Sequence, residues 1–211
     1  MKLYSALYDC FHPFDIFGIF NDCKVVSNPQ DFDGPGMLIV HGGADISPAL
    51  YNKRRSRRTG ADDQPSRRDQ MEWDLMQEAV KQKIPIMGLC RGAQMLCALV
   101  GGFLVQDTSG HAGRDHVVQT KDDHLFKVNS LHHQMMYPFD VEHELIAWSP
   151  VKLSGYYDSE DTDIDVPVEP EFVYFPTIKG YAVQWHPEMM QANIPSTDYL
   201  KNKLLGDFNV F

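Results

Sequence analysis

One cysteine of this sequence has surroundings that could make it a nucleophile. Cys90 lies in the sequence G-L-C-R-G, residues 88–92, between a short apolar run typical of a strand and a segment that favours a helix. This strand–sharp turn–helix pattern is a nucleophile elbow with cysteine in place of serine, and it predicts strained backbone. Gly88 and Gly92 are expected to let neighbouring backbone approach closely. The helix start behind Cys90 would favour a thiolate and could hold an oxyanion.

A thiolate nucleophile also needs a base and a group that orients the base. The sequence A-V-Q-W-H-P-E, residues 182–188, predicts a strand that ends at His186, with Glu188 two residues further on. Both side chains can then project to the same side, so Glu188 can accept a hydrogen bond from His186 and fix its tautomer. Taken alone, this stretch fits an exposed surface turn equally well. Together with Cys90 it favours a Cys-His-Glu triad.

The other cysteines give no sign of a shared site. Cys10, Cys23 and Cys97 form no C-x-x-C pair and no zinc spacing with Cys90. All four are therefore expected to be free thiols in a reducing compartment. Cys97 lies further along the predicted helix after the elbow and is expected to belong to the core.

Three histidines, His111, His116 and His124, raise the question of a metal site. No cysteine or carboxylate cluster lies near them at ligand spacing. They are therefore predicted to be loop histidines, and no metal site is predicted.

The elements that would position these residues alternate between strand and helix through residue 100. This alternation predicts an α/β fold with a mainly parallel sheet in a single domain, residues 1–211. A loop at residues 41–48 with two glycines follows a buried strand, at the sheet end where α/β folds carry their ligand crevice. The predicted strands are 3–8, 23–26, 37–40, the run before Cys90, 117–119, 125–128, 145–148, 172–175 and 181–185. The predicted helices are 69–83, the segment after Cys90 to residue 100, and 198–205, with a short helix or loop at 11–20.

Five motifs in chain order resemble the class I glutamine amidotransferase superfamily, and within it most closely the γ-glutamyl hydrolase branch, peptidase family C26. They are G-G-A-D-I-S-P at 42–48, Arg68-Asp69 at the start of a helix, G-L-C-R-G-A-Q at 88–94, V-N-S-L-H-H-Q at 128–134 and Q-W-H-P-E at 184–188. Together they extend over roughly residues 37–190. The resemblance implies a flavodoxin-like three-layer α/β sandwich with a mainly parallel central sheet.

The resemblance also implies a reaction. Cys90 would attack the γ-carbonyl of glutamine or of another γ-glutamyl amide and form a γ-glutamyl thioester. His186 would take the thiol proton and return it to the leaving amine, and Glu188 would orient His186. The backbone N–H groups of Arg91 and Gly43 would hold the oxyanion, and loss of one such donor typically costs ~10²–10³ in rate.

Three further residues would contact the glutamyl part of the substrate, again by resemblance: Gln94, His133 and Gln134. The reaction implies no metal and no organic cofactor.

Two enzymatic alternatives stay open at this point. In the first, glutamine is the substrate and a separate synthetase partner receives the ammonia. In the second, the protein is a stand-alone γ-glutamyl hydrolase of a larger γ-glutamyl compound. A third alternative is a non-catalytic regulatory subunit on the same fold, and the intact triad argues against it.

A basic loop at residues 53–68 contrasts with an acidic segment at residues 158–171. The loop could bind an anionic substrate, dock a partner synthetase, or simply pair with the acidic segment as a solvated loop. Surface ion pairs contribute only ~0–1 kcal/mol, which gives the last alternative substantial weight.

Composition excludes several classes of function. The 211 residues carry a net charge of −10, which argues against general nucleic-acid binding. No apolar run approaches the ~18 residues of a membrane span, and the N-terminus has no apolar signal core. A cytoplasmic location without membrane association is therefore expected, and formation of a homo-oligomer stays open.

Overall fold

The computed structural model describes residues 2–6, 18–20 and 22–208. Within these ranges the strands are β1 (Lys2–Ala6), β2 (Asp22–Val26), β3 (Gly36–Val40), β4 (Ile86–Leu89), β5 (Phe103–Val105), β6 (Asp107–Thr108), β7 (His116–Thr120), β8 (Leu125–Val128), β9 (Met135–Tyr137), β10 (Glu144–Trp148), β11 (Tyr157–Ser159), β12 (Thr162–Asp163), β13 (Pro170–Phe175) and β14 (Gly180–Val183). The helices are α1 (Arg67–Lys81), α2 (Arg91–Leu99) and α3 (Pro195–Phe208). Short 3₁₀ turns lie at Pro29–Asp31, Pro48–Tyr51, Pro176–Ile178 and Pro187–Met189. Most of the predicted helix or loop at 11–20 lies outside the described residues.

Nine strands form one sheet in the order β2-β1-β3-β4-β14-β13-β10-β7-β8. Neighbours from β2 to β14 are parallel, and neighbours from β14 to β8 are antiparallel. Helices α1 and α2 pack in one apolar cluster, and α3 packs in a second one with other side chains of the sheet. The predicted flavodoxin-like α/β fold is confirmed, and Cys90 follows a strand of its parallel half.

The central strands β3 and β4 are buried along their whole length. Their continuous apolar sequences are those of parallel strands with both faces covered. Val40 at the end of β3 pairs with Gly88 in β4. The loop after β3 and the turn after β4 therefore meet at one edge of the sheet, where α/β folds place their ligands.

Helix α1 begins with a capping box that the sequence analysis did not identify. The Ser66 hydroxyl accepts a hydrogen bond from the backbone N–H of Asp69 at 3.0 Å, and the Asp69 carboxylate accepts one from the backbone N–H of Ser66 at 2.8 Å. The reciprocal bonds satisfy two N–H groups at the helix start. They also fix the Asp69 side chain, which faces the elbow.

Two small sheets were not predicted. β5 pairs with β9, and β6, β11 and β12 form a three-stranded sheet. These strands are two or three residues long, too short to show a repeating apolar pattern. The acidic segment 158–171 supplies parts of β11 and β13 and the whole of β12.

The cysteines differ from the expectation in one case. Cys90 and Cys97 are free and buried, and burial raises the pKa of Cys97 to about 12. Cys23 is disulfide-bonded, so the prediction of a free thiol is wrong there. Cys10 lies outside the described residues. Among the described residues, no helix combines the length and apolar character that crossing a membrane requires.

The basic loop predicted at residues 53–68 ends at residue 66, because Arg67 and Arg68 begin α1, and its first residues contact the acidic segment of the same chain. Lys53 Nζ lies 3.2 Å from the Glu160 carboxylate, and Arg57 Nε lies 3.3 Å from that of Asp161. The backbone N–H of Arg57 also donates to Asp161, at 2.9 Å. Because the Arg57 side chain is 88% exposed, its ion pair contributes little to stability. This arrangement matches the third alternative, a solvated loop paired with the acidic segment.

Candidate active site

Cys90 lies in the sharp turn between β4 and α2. Its φ and ψ are 51° and −104°, a region that residues other than glycine rarely occupy. Its backbone N–H donates to the carbonyl of Val183 in β14 at 2.7 Å. A Cβ at Gly92 would lie 2.1 Å from the Val40 carbonyl oxygen, and one at Gly88 would lie 2.3 Å from the carbonyl of Gly92. The predicted strain and the predicted close approach of backbone are both confirmed.

His186 lies between Cys90 and Glu188. Its Nδ1 is 2.6 Å from the Glu188 carboxylate, and since a carboxylate accepts, this nitrogen carries the proton. The Cys90 side chain interacts electrostatically with the same ring. Burial alone would lower the pKa of His186, but the contacts with Cys90 and Glu188 outweigh burial and raise that pKa to about 10. At neutral pH the ring is therefore an imidazolium between a sulfur and a carboxylate.

The backbone of His186 is held by Asn129. β14 ends at Val183, short of the predicted end at residue 185. Beyond it, the Asn129 side-chain amide accepts from the backbone N–H of His186 and donates to its carbonyl, both at 2.9 Å. Two bonds from one side chain replace the pairing of a neighbouring strand. The sequence placed Asn129 in a motif without indicating this role.

The loop after β3 contacts the same imidazole. A Cβ at Gly42 would lie 2.5 Å from Cε1 of His186, so any larger residue would displace the ring. Arg68 Nη2 donates to the Gly42 carbonyl at 2.9 Å. Gly42 C=O and Gly43 N–H belong to one planar trans peptide and point in opposite directions. Arg68 therefore fixes the direction of the Gly43 N–H, one of the two predicted oxyanion donors.

The other predicted donor, the backbone N–H of Arg91, is at the first position of α2, where an N–H has no partner within the helix. The Arg91 side chain is 2% exposed and points back towards α1. One Nη pairs with Asp69 at 2.5 Å, and the other pairs with Glu72. Glu72 also accepts from Arg68 Nε at 2.9 Å. The four residues, Arg68, Asp69, Glu72 and Arg91, are called the arginine network below.

Gln94 and Gln134, two predicted substrate contacts, meet each other. Gln94 Nε2 donates to the Gln134 carbonyl at 3.0 Å, and both residues are almost fully buried. The Gln134 amide nitrogen donates to Thr59 and to the carbonyl of Gln106. Its Oε1 is buried without a partner, which leaves one acceptor on this pair available.

The third predicted substrate contact, His133, lies between two carboxylates. Its Nε2 is 3.0 Å from Asp45 and its Nδ1 is 2.9 Å from Asp107. The hydrogen bond with Asp45 is the largest influence, and together with the one to Asp107 it outweighs burial and raises the pKa of His133 to about 9. Both nitrogens are therefore donors at neutral pH. A cavity of about 140 Å³ lies beside this group and has Asp45 and Arg68 in its wall.

The prediction of loop histidines is wrong for His116 and incomplete for His111. His116 begins β7, and His111, although in a loop, is 0% exposed. Both rings lie near the Glu171 carboxylate. His124 lies in a loop, as predicted, and its side chain is exposed. The sequence could not show this because Glu171 is far from both histidines along the chain.

Comparisons with known proteins find a matching family model and similar sequences. The family model of peptidase C26 matches residues 30–126. A protein of Enterococcus hirae named NtpR is 31% identical over 183 residues, which cover 76% of this chain and 70% of that protein. A protein of Lactococcus lactis described as glutamine amidotransferase-like, YvdE, is 27% identical over 171 residues, 72% of this chain and 65% of its own length.

A solved structure shares the fold. It is a glutamine amidotransferase of Thermotoga maritima, with a TM-score of 0.60 and 14% sequence identity. The alignment covers 98% of this chain and 83% of that one. At this identity the likeness concerns the fold alone.

Proposed function

Since this chain belongs to the peptidase C26 family of the class I glutamine amidotransferase superfamily, we propose that it hydrolyses a γ-glutamyl amide with Cys90 as nucleophile. The observation that carries the proposal is the strained turn that brings the Cys90 thiol to an imidazole already paired with Glu188. The family supports a glutamine amidotransferase-type hydrolase. The roles of individual residues are our proposal.

In the first half of the reaction, Cys90 has given its thiol proton to Nε2 of His186, and the thiolate sulfur attacks the γ-carbonyl carbon while the C–O π electrons move to oxygen. The N–H groups of Arg91 and Gly43 would stabilise this oxyanion. As the intermediate collapses, the C–N bond breaks and the His186 imidazolium gives its proton to the leaving nitrogen. The products are a γ-glutamyl thioester on Cys90 and free ammonia or an amine.

In the second half, neutral His186 takes a proton from water, whose oxygen attacks the thioester carbonyl. Collapse of the second tetrahedral intermediate breaks the C–S bond and releases glutamate. Glu188 keeps Nδ1 of His186 protonated throughout, so Nε2 alone transfers protons. The wall of the cavity beside Asp45 and Arg68 combines three carboxylates with two guanidiniums: Asp45, Asp62, Asp69, Arg68 and Arg91. Groups of both signs suit the ammonium and carboxylate ends of an amino acid.

Two leaving groups remain candidates. An amidotransferase passes ammonia to an acceptor, and the L. lactis relative is described as glutamine amidotransferase-like. This favours glutamine as substrate with a separate synthetase as partner. The match to peptidase C26 favours the second candidate, a stand-alone γ-glutamyl hydrolase of a larger compound.

Release of glutamate from L-glutamine and from a panel of γ-glutamyl amides tests the proposal. We expect Cys90→Ser to lose about 10⁴-fold or more in kcat with the best substrate. Cys97→Ala, in the helix that follows Cys90, is the matched control and should keep most of the activity. Preference for a γ-glutamyl amide over glutamine would identify a stand-alone hydrolase, and slow Cys90-dependent glutamine hydrolysis would indicate an amidotransferase. Glutamate release that survives in Cys90→Ser would refute the mechanism.

A further inference from the structure

A second group of titratable side chains lies away from the residues that would perform this reaction. It combines three imidazoles with two carboxylates, and every member is at most 8% exposed. We call it the histidine cluster; its members are His111, His116, His132, Glu169 and Glu171. The members come from four segments: the loop after β6, the start of β7, the loop before β9, and β13 with the residue before it.

Several polar atoms of the histidine cluster lack a hydrogen-bond partner. Both nitrogens of His111 are buried without a well-aligned partner, and so is Oε2 of Glu171. The His132 ring donates from Nδ1 to the carbonyl of Gln134 at 2.9 Å, because a carbonyl can only accept. Its Nε2 is then free to offer a lone pair, and it too is buried without a partner. Orphaned buried polar atoms are costly, so a group of them at one place calls for a ligand.

Three imidazole nitrogens, two of them without a hydrogen-bond partner, converge on one carboxylate oxygen. Oε1 of Glu171 lies 3.0 Å from His116 Nε2, 3.4 Å from His111 Nδ1 and 3.8 Å from His132 Nε2. Glu169 is better satisfied, because it accepts from the backbone of residues 153 and 154 and from a tyrosine hydroxyl. Across residues 2–6, 18–20 and 22–208, no lysine or arginine forms an ion pair with either carboxylate. Glu171 therefore has only imidazoles to balance a fully buried charge.

These separations are those of ligands around one metal ion. Zinc binds imidazole nitrogen and carboxylate oxygen at ~2.0–2.2 Å, which places tetrahedral ligand atoms roughly 3.3 Å apart. The ligand atoms of His111, His116 and Glu171 all lie within 4.8 Å of one another. Imidazole donors select borderline first-row ions rather than Mg²⁺ or Ca²⁺. The bond from His132 to a backbone carbonyl is the support that metal-binding histidines usually have.

We propose that His111, His116 and Glu171 bind one divalent transition-metal ion. Two imidazoles and a carboxylate as ligands favour zinc, and His132 lies beside the fourth coordination position of the ion. The ion would be structural, because the ligands leave no exposed face for a substrate. It would connect β7 and β13 to the loop that continues from His132 into His133 and Gln134. One wall of the candidate active site would thus be fixed by a metal that takes no part in the reaction.

Metal content and metal binding test this proposal without reference to activity. The full chain is purified without a metal-chelate column, and its zinc is measured by mass spectrometry before and after dialysis against a chelator. All metal measurements are made on the Cys90→Ser variant, so that the Cys90–His186 pair cannot supply a thiolate ligand. We expect one zinc per chain, and re-addition at 100-fold over the dissociation constant should raise Tm by about 5–10 °C. Absence of zinc together with no Tm shift would overturn the proposal.

Cobalt binding gives a second readout, in the visible absorption spectrum. Co²⁺ added to the metal-free Cys90→Ser chain should produce visible ligand-field bands that zinc removes, without the near-ultraviolet band of a thiolate ligand. Glu171→Gln should abolish them, whereas His124→Ala, an exposed histidine, should not. If Glu171→Gln fails to fold, the titration of Cys90→Ser with Co²⁺ still shows whether the chain binds the metal. Bands that persist unchanged in a folded Glu171→Gln chain would place the metal elsewhere and overturn the assignment.

Discussion

The arginine network and the histidine cluster are both buried groups built around two carboxylates, and they balance these charges differently. In the arginine network, two guanidiniums, which are always protonated, face Asp69 and Glu72. In the histidine cluster, the ion-pair partners of Glu169 and Glu171 within the described part of the chain are all imidazoles. A guanidinium offers fixed charge and several donors, so the arginine network neutralises its own carboxylates without a further ligand. An imidazole offers either a proton or a lone pair, so the histidine cluster can accept a metal.

The largest expected effect follows from breaking the arginine network. Glu72→Gln would leave Arg68 and Arg91 short of a carboxylate, and Arg91 is almost fully buried. Removing one partner of a buried ion pair typically costs about 3–5 kcal/mol. We expect a loss of that size in the free energy of unfolding, measured with urea. The loss in the free energy of unfolding should be the same with and without chelator, since the arginine network binds no metal.

Glu78→Gln is the matched control on the same helix. Its carboxylate pairs with Lys81, which is 73% exposed, and we expect a change below about 1 kcal/mol. A Glu72→Gln variant as stable as Glu78→Gln would show that the two guanidiniums are held by something other than this carboxylate.

The two groups also differ in how far the sequence reveals them. Cys90, Gly92 and Arg91 are contiguous, and Arg68, Asp69 and Glu72 lie within two turns of one helix. Short motifs therefore predicted the elbow. The capping box that fixes Asp69 is local as well, although it was not recognised.

The histidine cluster could not be predicted from local patterns. Its members span residues 111–171, and composition marked the segment that contains Glu171 only as acidic. β13 buries it because its strand pairs on both sides within the sheet. Similarly, the role of Asn129 depends on contact with a residue 57 positions away. The parallel half of the fold was predictable from apolar runs, whereas strands of two or three residues gave no pattern.

A smaller effect is expected from the other end of the arginine network. Arg68→Met would free the Gly42 carbonyl and let the Gly43 N–H turn away from a developing oxyanion. Because the donor is misdirected rather than removed, we expect kcat to fall roughly 10- to 10²-fold, less than for loss of a donor. KM should change little, since the bond matters most in the transition state.

Arg67→Met, at the adjacent exposed position of α1, is the control and should leave kcat unchanged. An equal loss in both variants, or a loss confined to KM, would argue against the positioning role of Arg68.

The smallest effect concerns His133, which combines features of both groups: an imidazole between two carboxylates, but partly exposed. Its pKa is raised to about 9 in the folded chain, above the ~6.5 of an unfolded histidine. Its contribution to stability is therefore complete below about pH 6.5 and is lost as the pH rises through about 9. Because solvent screens the pair, we expect it to be worth less than about 1 kcal/mol.

Urea unfolding of the wild type and of His133→Gln, at pH 6 and at pH 9.5, measures this contribution. The difference in the free energy of unfolding should be larger at pH 6. A difference that grows towards pH 9.5 would have the wrong sign and would contradict the assignment of His133 as a cation.

The proposed reaction passes through a thioester on Cys90, and the most direct test is to isolate it. The enzyme is mixed with its best γ-glutamyl substrate, quenched in acid within the first turnovers, digested and analysed by mass spectrometry. We predict a γ-glutamyl group on the peptide that contains Cys90, absent from Cys90→Ser and from the peptide of Cys97. Turnover with a γ-glutamyl group on another residue, or undiminished turnover by Cys90→Ser, would contradict the account.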